Sequence, residues 1–368
     1  MSSEHTITPS RVPLTWRKLA TASGVAACAL AVAASAIAQD RPGTIEWSIQ
    51  RVEGSKVQLT IESRWGAGNH SVWSDDRPIS DLAGLSPAQL AGPTGPARFA
   101  LVRDAGRLDC SGSAGNLAGR GNCTFSVDPR FTTYLRQRGI GAHTPHDAFT
   151  LTMSGVGRDL IDAMEEIGYT RPSAEQLADM SIHGVSAEFV RGLARSGYRL
   201  RSADDLVNFK VHGVDLGYIQ GMAAIGPKLQ HLSADELVDL RIHGVTPDYV
   251  RQIAAIGPSF TEISADDLVN LSIHGAQPDL VRAYAAFTRG ALNPDEVVDM
   301  AIHGVSAEYL RQLAALGYRD LTAEEVVNLR IHGVTPDYVE RLQRSGMAHM
   351  SADQLVRLRL AGFEPHGR

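Results

Sequence analysis

Two patterns of apolar and polar positions divide the chain. From Asp40 to about Arg138, apolar residues alternate with polar ones in short runs: TIEWSIQRV, KVQLTIESRW, ARFALVRD, GRLDCSGSAG and GNCTFSVD. A period of two predicts half-buried strands. Glu53-Gly54-Ser55 and the glycine-rich GSAGNLAGRG between them predict hairpin loops. SPAQLA, from Ser86, predicts a single helical turn, and Pro129 to Arg138 a short helix closing the module. Together these runs predict an antiparallel β-domain of roughly 100 residues, large enough for a core of its own.

From about Thr144 the period changes and the sequence repeats. Histidine followed by glycine recurs at His183-Gly184, His212-Gly213, His243-Gly244, His274-Gly275, His303-Gly304 and His332-Gly333, with gaps of 29, 31, 31, 29 and 29 residues. The decapeptide RIHGVTPDYV is spelled twice, at Arg241–Val250 and Arg330–Val339. One step before the first pair lies Ser154-Gly155-Val156, and one step after the last lies Ala361-Gly362-Phe363; both keep the glycine and lose the histidine. Eight units with divergent ends predict a solenoid or array.

Ser233 to Gly257 makes the unit legible. Ser233 is a helix N-cap and Glu236, three residues on, completes a capping box. Leu237, Val238, Leu240 and Ile242 mark an apolar face, and Gly244 suits a left-handed turn. Thr246 caps a second helix with Pro247 at its first position and Asp248 at its positive end. Tyr249, Val250, Ile253 and Ala254 give a second apolar face. Thr144, Ser173, Ser202, Ser264, Asn293, Thr322 and Ser351 are the equivalent first caps, and Ser186, Ser306 and Thr335 stand with Thr246 as second caps. Helices of about ten residues are marginal alone in water, so the units must fold by stacking. In the unit of GVDLGYIQGMAAIGPK, Asp215 can still cap, but Gly217 predicts a looser second helix.

This unit resembles the "LRIHGVTPEYVRxLxxxGY" repeats of bacterial envelope proteins, found notably as extensions of membrane metallopeptidases related to the β-lactam sensors. The resemblance covers roughly Thr144 to the C-terminus and implies a helical repeat fold. It implies no zinc-peptidase activity, because His-Glu-x-x-His does not occur in the chain. The β-rich module resembles, more loosely, the one that accompanies such repeats.

The expected fold class is therefore α+β in two domains: a signal peptide over 1–38, a β-rich domain over 39–141, and an α-helical, solenoid-like repeat domain over 142–368. The signal rests on Arg17-Lys18, a run of small apolar residues, and Ala36-Ile37-Ala38 as an A-x-A cleavage site. Two rival readings are a lipoprotein signal at Cys28 and an uncleaved membrane anchor over 19–38. All three export the remainder to the periplasm or beyond, and no later segment predicts a membrane span. The mature chain keeps Cys110 and Cys123, an even pair suited to a disulfide in an oxidising compartment; two separate buried thiols are the alternative.

Charge narrows the partners. The net charge is −6, with 35 Lys and Arg against 41 Asp and Glu, but from Ala142 onward there are 20 against 30. An acidic array repels nucleic acid and anionic lipid, and the hairpin that a DNA-gripping helix-hairpin-helix would need carries Thr246-Pro247 and an acid instead of a second glycine. The six histidines stand beside C-terminal glycines, where they favour the negative helix end. One per unit, roughly 10 Å apart at helix-packing distance, they cannot converge on a metal. Asp204-Asp205, Asp266-Asp267 and Glu324-Glu325 stand in first turns, where capping and the helix dipole account for them. Trp47, Trp65 and Trp73 read as core residues, though Trp65 and Trp73 flank GAGNHSV, expected as an exposed loop.

The sequence therefore predicts a non-enzymatic exported protein without cofactor or metal, whose helical array binds another envelope protein. Arg191, Arg251, Arg282 and Arg311, with Gln220 and Glu340, occupy one equivalent position on the second helix and are the candidate contacts; the alternative is that they are merely solvated. A rival function is an accessory or sensor component whose β-domain binds a small envelope ligand.

Overall fold

The computed structural model describes residues 42–52, 54–65, 69–141, 144–169, 171–200 and 202–364. The expected signal peptide over 1–38, Cys28 and the alternative expectation of an anchor over 19–38 lie outside them. By contacts the chain forms two compact units: Met1–Val102 with Gly106–Val127 and His143–Phe149, and Arg103–Ala105 with Asp128–Ala142 and Thr150–Arg368. The fold is α+β, a six-stranded antiparallel sheet followed by a helical region.

The first unit is built on strands β1 (Pro42–Arg51), β2 (Lys56–Trp65), β3 (Asn69–Pro78), β4 (Gly95–Arg103), β5 (Gly106–Gly115) and β6 (Ala118–Val127), in the order β3-β2-β1-β6-β5-β4. Alternation sets the faces: Ile45, Trp47 and Ile49 on β1, and Val57, Leu59, Ile61 and Trp65 on β2, are all buried. The sheet curls enough for Trp47 on β1 to meet Phe99 on β4 edge to face, with ring centroids 4.9 Å apart. Trp65, Phe125 and Phe149 form a second aromatic cluster of this core. The predicted helical turn is Pro87–Ala91, with Ser86 accepting from the Gln89 amide at 3.1 Å.

Two expectations fail here. The stretch after Trp65, expected as a loop, enters a further strand, β3, from Asn69 on. NHSVWSDDRP hides its period because β3 lies at the sheet edge, where polar residues guard against further pairing. Its inward positions include the half-buried Trp73 and the buried Arg77, whose Nε and Nη2 donate to Asp75 at 3.0 and 2.6 Å. The second concerns GSAGNLAGRG, which is mostly strand: β5 runs to Gly115 and β6 starts at Ala118. Only Asn116 and Leu117 turn, at φ of 53° and 67°, the left-handed pair that a two-residue hairpin of this type requires.

In the second unit, helix pairs follow the predicted grammar: Ala174–Ile182 with Ala187–Arg195, Ala203–Val211 with Leu216–Ala223, Ala234–Ile242 with Pro247–Ala254, Ala265–Ile273 with Pro278–Phe287, Pro294–Ile302 with Ala307–Ala315, and Ala323–Ile331 with Pro336–Arg344. Pro145–Ser154 and Arg158–Glu166 precede them as the atypical first pair, and Ala352–Leu360 follows. Among the described residues the eighth unit is thus one helix, not two. Pro129–Gln137, expected to close the β-module, buries Phe131 and Leu135 in the core of the helical unit. The two 31-residue periods hold an extra short 3-10 turn, Pro227–Leu229 and Pro258–Phe260, each burying one residue, Leu229 or Phe260.

Two further expectations are corrected. The helix Leu216–Ala223 is as long as its neighbour Pro247–Ala254 despite Gly217, because Asp215 caps the Tyr218 amide at 2.7 Å and Tyr218, Ile219 and Met222 are buried. Ile242 does not belong to the buried face: it is exposed while Leu237, Val238 and Leu240 are buried. Two residues after Leu240, it is turned about 200° from it around the helix, at the margin of the buried face.

Candidate functional site

The turn that repeats is built from backbone upward. Ser233 and Glu236 cap each other, with the Glu236 amide donating to Ser233 Oγ at 3.2 Å and the Ser233 amide to Glu236 Oε2 at 2.7 Å. His243 is the C-cap, and Gly244 follows at φ 73°. The Gly244 amide donates to the Arg241 carbonyl at 3.1 Å and the Val245 amide to that of Leu240 at 2.9 Å. These bonds satisfy two carbonyls that the helix end would leave open. Thr246 then caps the next helix at the Tyr249 amide, 3.1 Å away. Gly184, Gly213, Gly275, Gly304 and Gly333 repeat the positive φ, between 69° and 75°.

Three of the six turn histidines, those with an aspartate four residues earlier, turn back on their own helices. His243 Nδ1 lies 2.9 Å from the Asp239 carbonyl oxygen and His303 Nδ1 lies 2.8 Å from that of Asp299. His183 Nε2 stands 3.4 Å from the Asp179 carboxylate. No group of three or more His, Cys, Asp or Glu side chains is arranged to hold a metal ion among the described residues.

What joins one unit to the next is a buried hydroxyl. Tyr218 donates to the Val245 carbonyl at 2.9 Å, Tyr249 to Ala276 at 3.0 Å, Tyr309 to Val334 at 2.8 Å and Tyr338 to Phe363 at 2.9 Å. Each acceptor directly follows the turn glycine of the next unit. Over the same rings sit cations from that next unit: Arg241 over Tyr218 at 5.1 Å, Arg330 over Tyr309 at 5.2 Å and Arg359 over Tyr338 at 5.0 Å. Where serine takes the cation's place, Ser272 Oγ donates to the His243 carbonyl at 2.7 Å. Burial pushes the Tyr218, Tyr249, Tyr284 and Tyr309 hydroxyls up to about 12. A reading that counts Tyr249 only as apolar misses this contact. Its signal is a tyrosine, not a leucine, recurring at a position where an unpaired hydroxyl would be costly.

The second-helix arginines are not brought together. Arg191 holds Glu166, on the second helix of the preceding unit, through two bonds of 2.8 Å, which keeps that carboxyl below its usual range. Arg251 lies 3.6 Å from Asp248 and Arg311 2.5 Å from Glu308, both on their own helices; Arg282 pairs with Asp279 and Glu340 with Arg344. Exposed pairs of this kind contribute about 0–1 kcal/mol.

In the first unit, Cys110 and Cys123 face each other across β5 and β6 and form a disulfide, with Cα atoms 4.0 Å apart. On the solvent face of the sheet, Glu46, Ser48, Thr60, Glu62, Arg120 and Asn122 line a polar hollow of about 600 Å³. No helix among the described residues is long and apolar enough to cross a membrane. Comparison of the chain with family models, curated proteins and solved structures gives no match.

Proposed function

We propose that this is an exported, non-enzymatic protein of the bacterial envelope whose solenoid-like helical repeat region binds another protein. The observation that carries the reading is the recurring junction. The same tyrosine-to-carbonyl bond and the same turn are rebuilt unit after unit, so equivalent side chains return at a fixed interval along an extended surface. Spacing of that kind suits recognition of a macromolecule. The disulfide at Cys110–Cys123 supports export.

The test is site-directed photo-crosslinking in cells, with the photoreactive residue at exposed positions Asn208 and Asn270 on first helices and Gln252 and Gln312 on second helices of the repeat region, and Gln50 and Gln58 of the sheet. The reading expects one discrete adduct from the repeat positions. Adducts confined to the sheet positions, or none, would overturn it.

A second reading rests on the hollow over β1, β2 and β6, in which the β-unit binds a small polar ligand as part of a sensor. Both signs of charge and several hydroxyl or amide groups line it, which fits a small zwitterionic or hydroxylated molecule. Loss of ligand-induced thermal stabilisation on Arg120→Ala would support this reading over the first.

A further inference from the structure

The residue before each turn histidine is a large aliphatic that the fold leaves in solvent. Ile182, Val211, Ile242, Ile273, Ile302 and Ile331, with Leu360 in the last unit, are each between 49% and 65% exposed. Single exposed aliphatics are ordinary. These instead recur at one position in seven successive units, and branched residues there do nothing for helix propensity. The neighbouring position three residues earlier has drifted, reading Asp179, Asn208, Asp239, Asn270, Asp299, Asn328 and Arg357. The aliphatic has stayed aliphatic.

The row is bordered by carboxylates. Seven residues before each aliphatic, on the same side of the helix, stands an exposed acid: Asp204, Asp235, Asp266, Asp295 and Glu324 in the middle units. These five form no ion pair among the described residues. Around Ile242 the surface dips between Asp235, Asp239 and Val238. The basic residues two places before the histidine, such as Arg241 and Arg330, are turned away to the aromatic rings of the preceding unit. From Val211 to Ile302 the face thus combines an apolar row with unpaired carboxylates, whereas Arg357 stands beside Leu360 at the far end. A second copy of the same face, a nucleic acid or an anionic bilayer would bring negative against negative.

Spacing selects the conformation of the occupant. First helices of successive units pack directly on one another, as Ala265–Ile273 does on Ala234–Ile242 and Pro294–Ile302 on Ala265–Ile273. Packed helices lie roughly 8–10 Å apart. An extended, polyproline-like chain advances about 3.1 Å per residue with three residues per turn, or about 9 Å per turn. We propose that this row takes an extended polypeptide with a bulky apolar side chain at every third residue and Lys or Arg between. The proposal rests on the protein-binding reading above and names its face and the chemistry of its partner.

The probe is a fluorescent peptide of six Pro-Leu-Lys repeats, held extended by its prolines, titrated with the full chain and read by anisotropy. Saturable binding is expected. Replacing Leu by Gly, or Lys by Glu, should each weaken it by more than about ten-fold. The combined variant Ile242→Ser, Ile273→Ser and Ile302→Ser should weaken it similarly while its thermal melt stays near that of the parent. Equal binding of the glycine peptide, or undiminished binding by the triple variant, would overturn the proposal. So would no binding of any peptide. Binding that is instead lost on Arg251→Ala, Arg282→Ala and Arg311→Ala would overturn this face while leaving the protein-binding reading intact.

Discussion

Tyr284 donates its hydroxyl to the Val305 carbonyl at 2.6 Å, although it stands one helical turn later than the tyrosine of every other unit that makes this bond. In its unit Leu280 occupies the usual position, three residues after the cap Gln277, and Tyr284 comes four residues further on. One turn of helix returns a side chain to nearly the same face, so the hydroxyl still reaches the residue after the next turn glycine. The junction therefore depends on delivering a donor to that carbonyl, not on one sequence register. Phe189, which has no hydroxyl, takes the tyrosine's place in the unit of His183, under Lys210 at 4.9 Å from its ring.

Removing one such donor should be felt across the array. In Tyr249→Phe the Ala276 carbonyl loses its partner in a buried place. The expected cost is about 1–3 kcal/mol, the penalty of an unsatisfied buried group. Urea titration monitored by circular dichroism measures it; a change within error would mean that water reaches that carbonyl.

The same hydroxyls predict an alkaline limit. Burial raises Tyr218, Tyr249, Tyr284 and Tyr309 from an ordinary value of 10 to about 12. The folded state holds the phenolic proton more tightly than the unfolded one, so this contribution is complete below pH 10 and is lost as pH rises towards 12. The melting temperature should fall through that window, and less steeply in a variant with Tyr218, Tyr249 and Tyr309 all replaced by Phe. Parallel slopes for the two proteins would contradict the assignment.

Local rules carried most of the helical region into the sequence. Caps such as Ser233 and Thr246 and stops such as Gly244 act within a few residues, so their pattern is visible without the fold. Contacts between units were not legible in that way: nothing local distinguishes Tyr249 as a hydrogen-bond donor, and Ile242 looks like a core residue until helix rotation is known. In the sheet, buried strands β1 and β2 announced themselves by alternation. Edge strand β3 did not, since solvent covers part of it. The glycines of β5 and β6 resemble a loop in the sequence because the feature that requires them, the approach of Trp47, is distant along the chain.

At the turn itself, backbone and histidine contributions separate cleanly. Around Gly244 a Cβ would meet nothing within 4 Å, so its φ of 73° is the sole obstacle to a side chain. Gly244→Val should cost more than Gly244→Asn, since asparagine tolerates that region and a branched residue does not. His243→Gln removes only a local bond to the Asp239 carbonyl, about 0.5–1.5 kcal/mol. Thermal melts of the three variants, with and without chelator, are expected in the order Val lowest, then Asn, then Gln, and insensitive to chelator. A chelator effect abolished by His243→Gln would make the histidine a ligand.

The disulfide should tie β5 to β6 in solution. Cys110 and Cys123 are 13 positions apart in the sequence, and a closed loop of that size is worth about 3 kcal/mol when the constraint acts on the unfolded chain. Peptide mapping without reduction should recover the two cysteines in one linked fragment. Reduction should lower the melting temperature of the parent but leave that of Cys110→Ser with Cys123→Ser unchanged.

Gly121 offers the sharpest test of the curled sheet. It lies opposite Gly112 on β5, and the Trp47 indole donates across them to the Ser111 carbonyl at 3.1 Å. A Cβ at Gly121 would come within 2.7 Å of Trp47 Nε1 and closer still to the Ser111 oxygen. The backbone acceptor cannot rotate away, so Gly121→Ala must displace the indole or open the β5–β6 pair. Overpacking costs about 1–3 kcal/mol, and loss of the indole bond adds about 0.5–1.5 kcal/mol. Gly95→Ala is the control, because a Cβ there finds its nearest neighbour, the Pro93 oxygen, at 4.0 Å. Urea titration followed by tryptophan fluorescence should place Gly121→Ala well below the parent and Gly95→Ala close to it. If the two variants unfold together, the indole is not held over the glycine pair, and the contact between Trp47 and Phe99 loses its support.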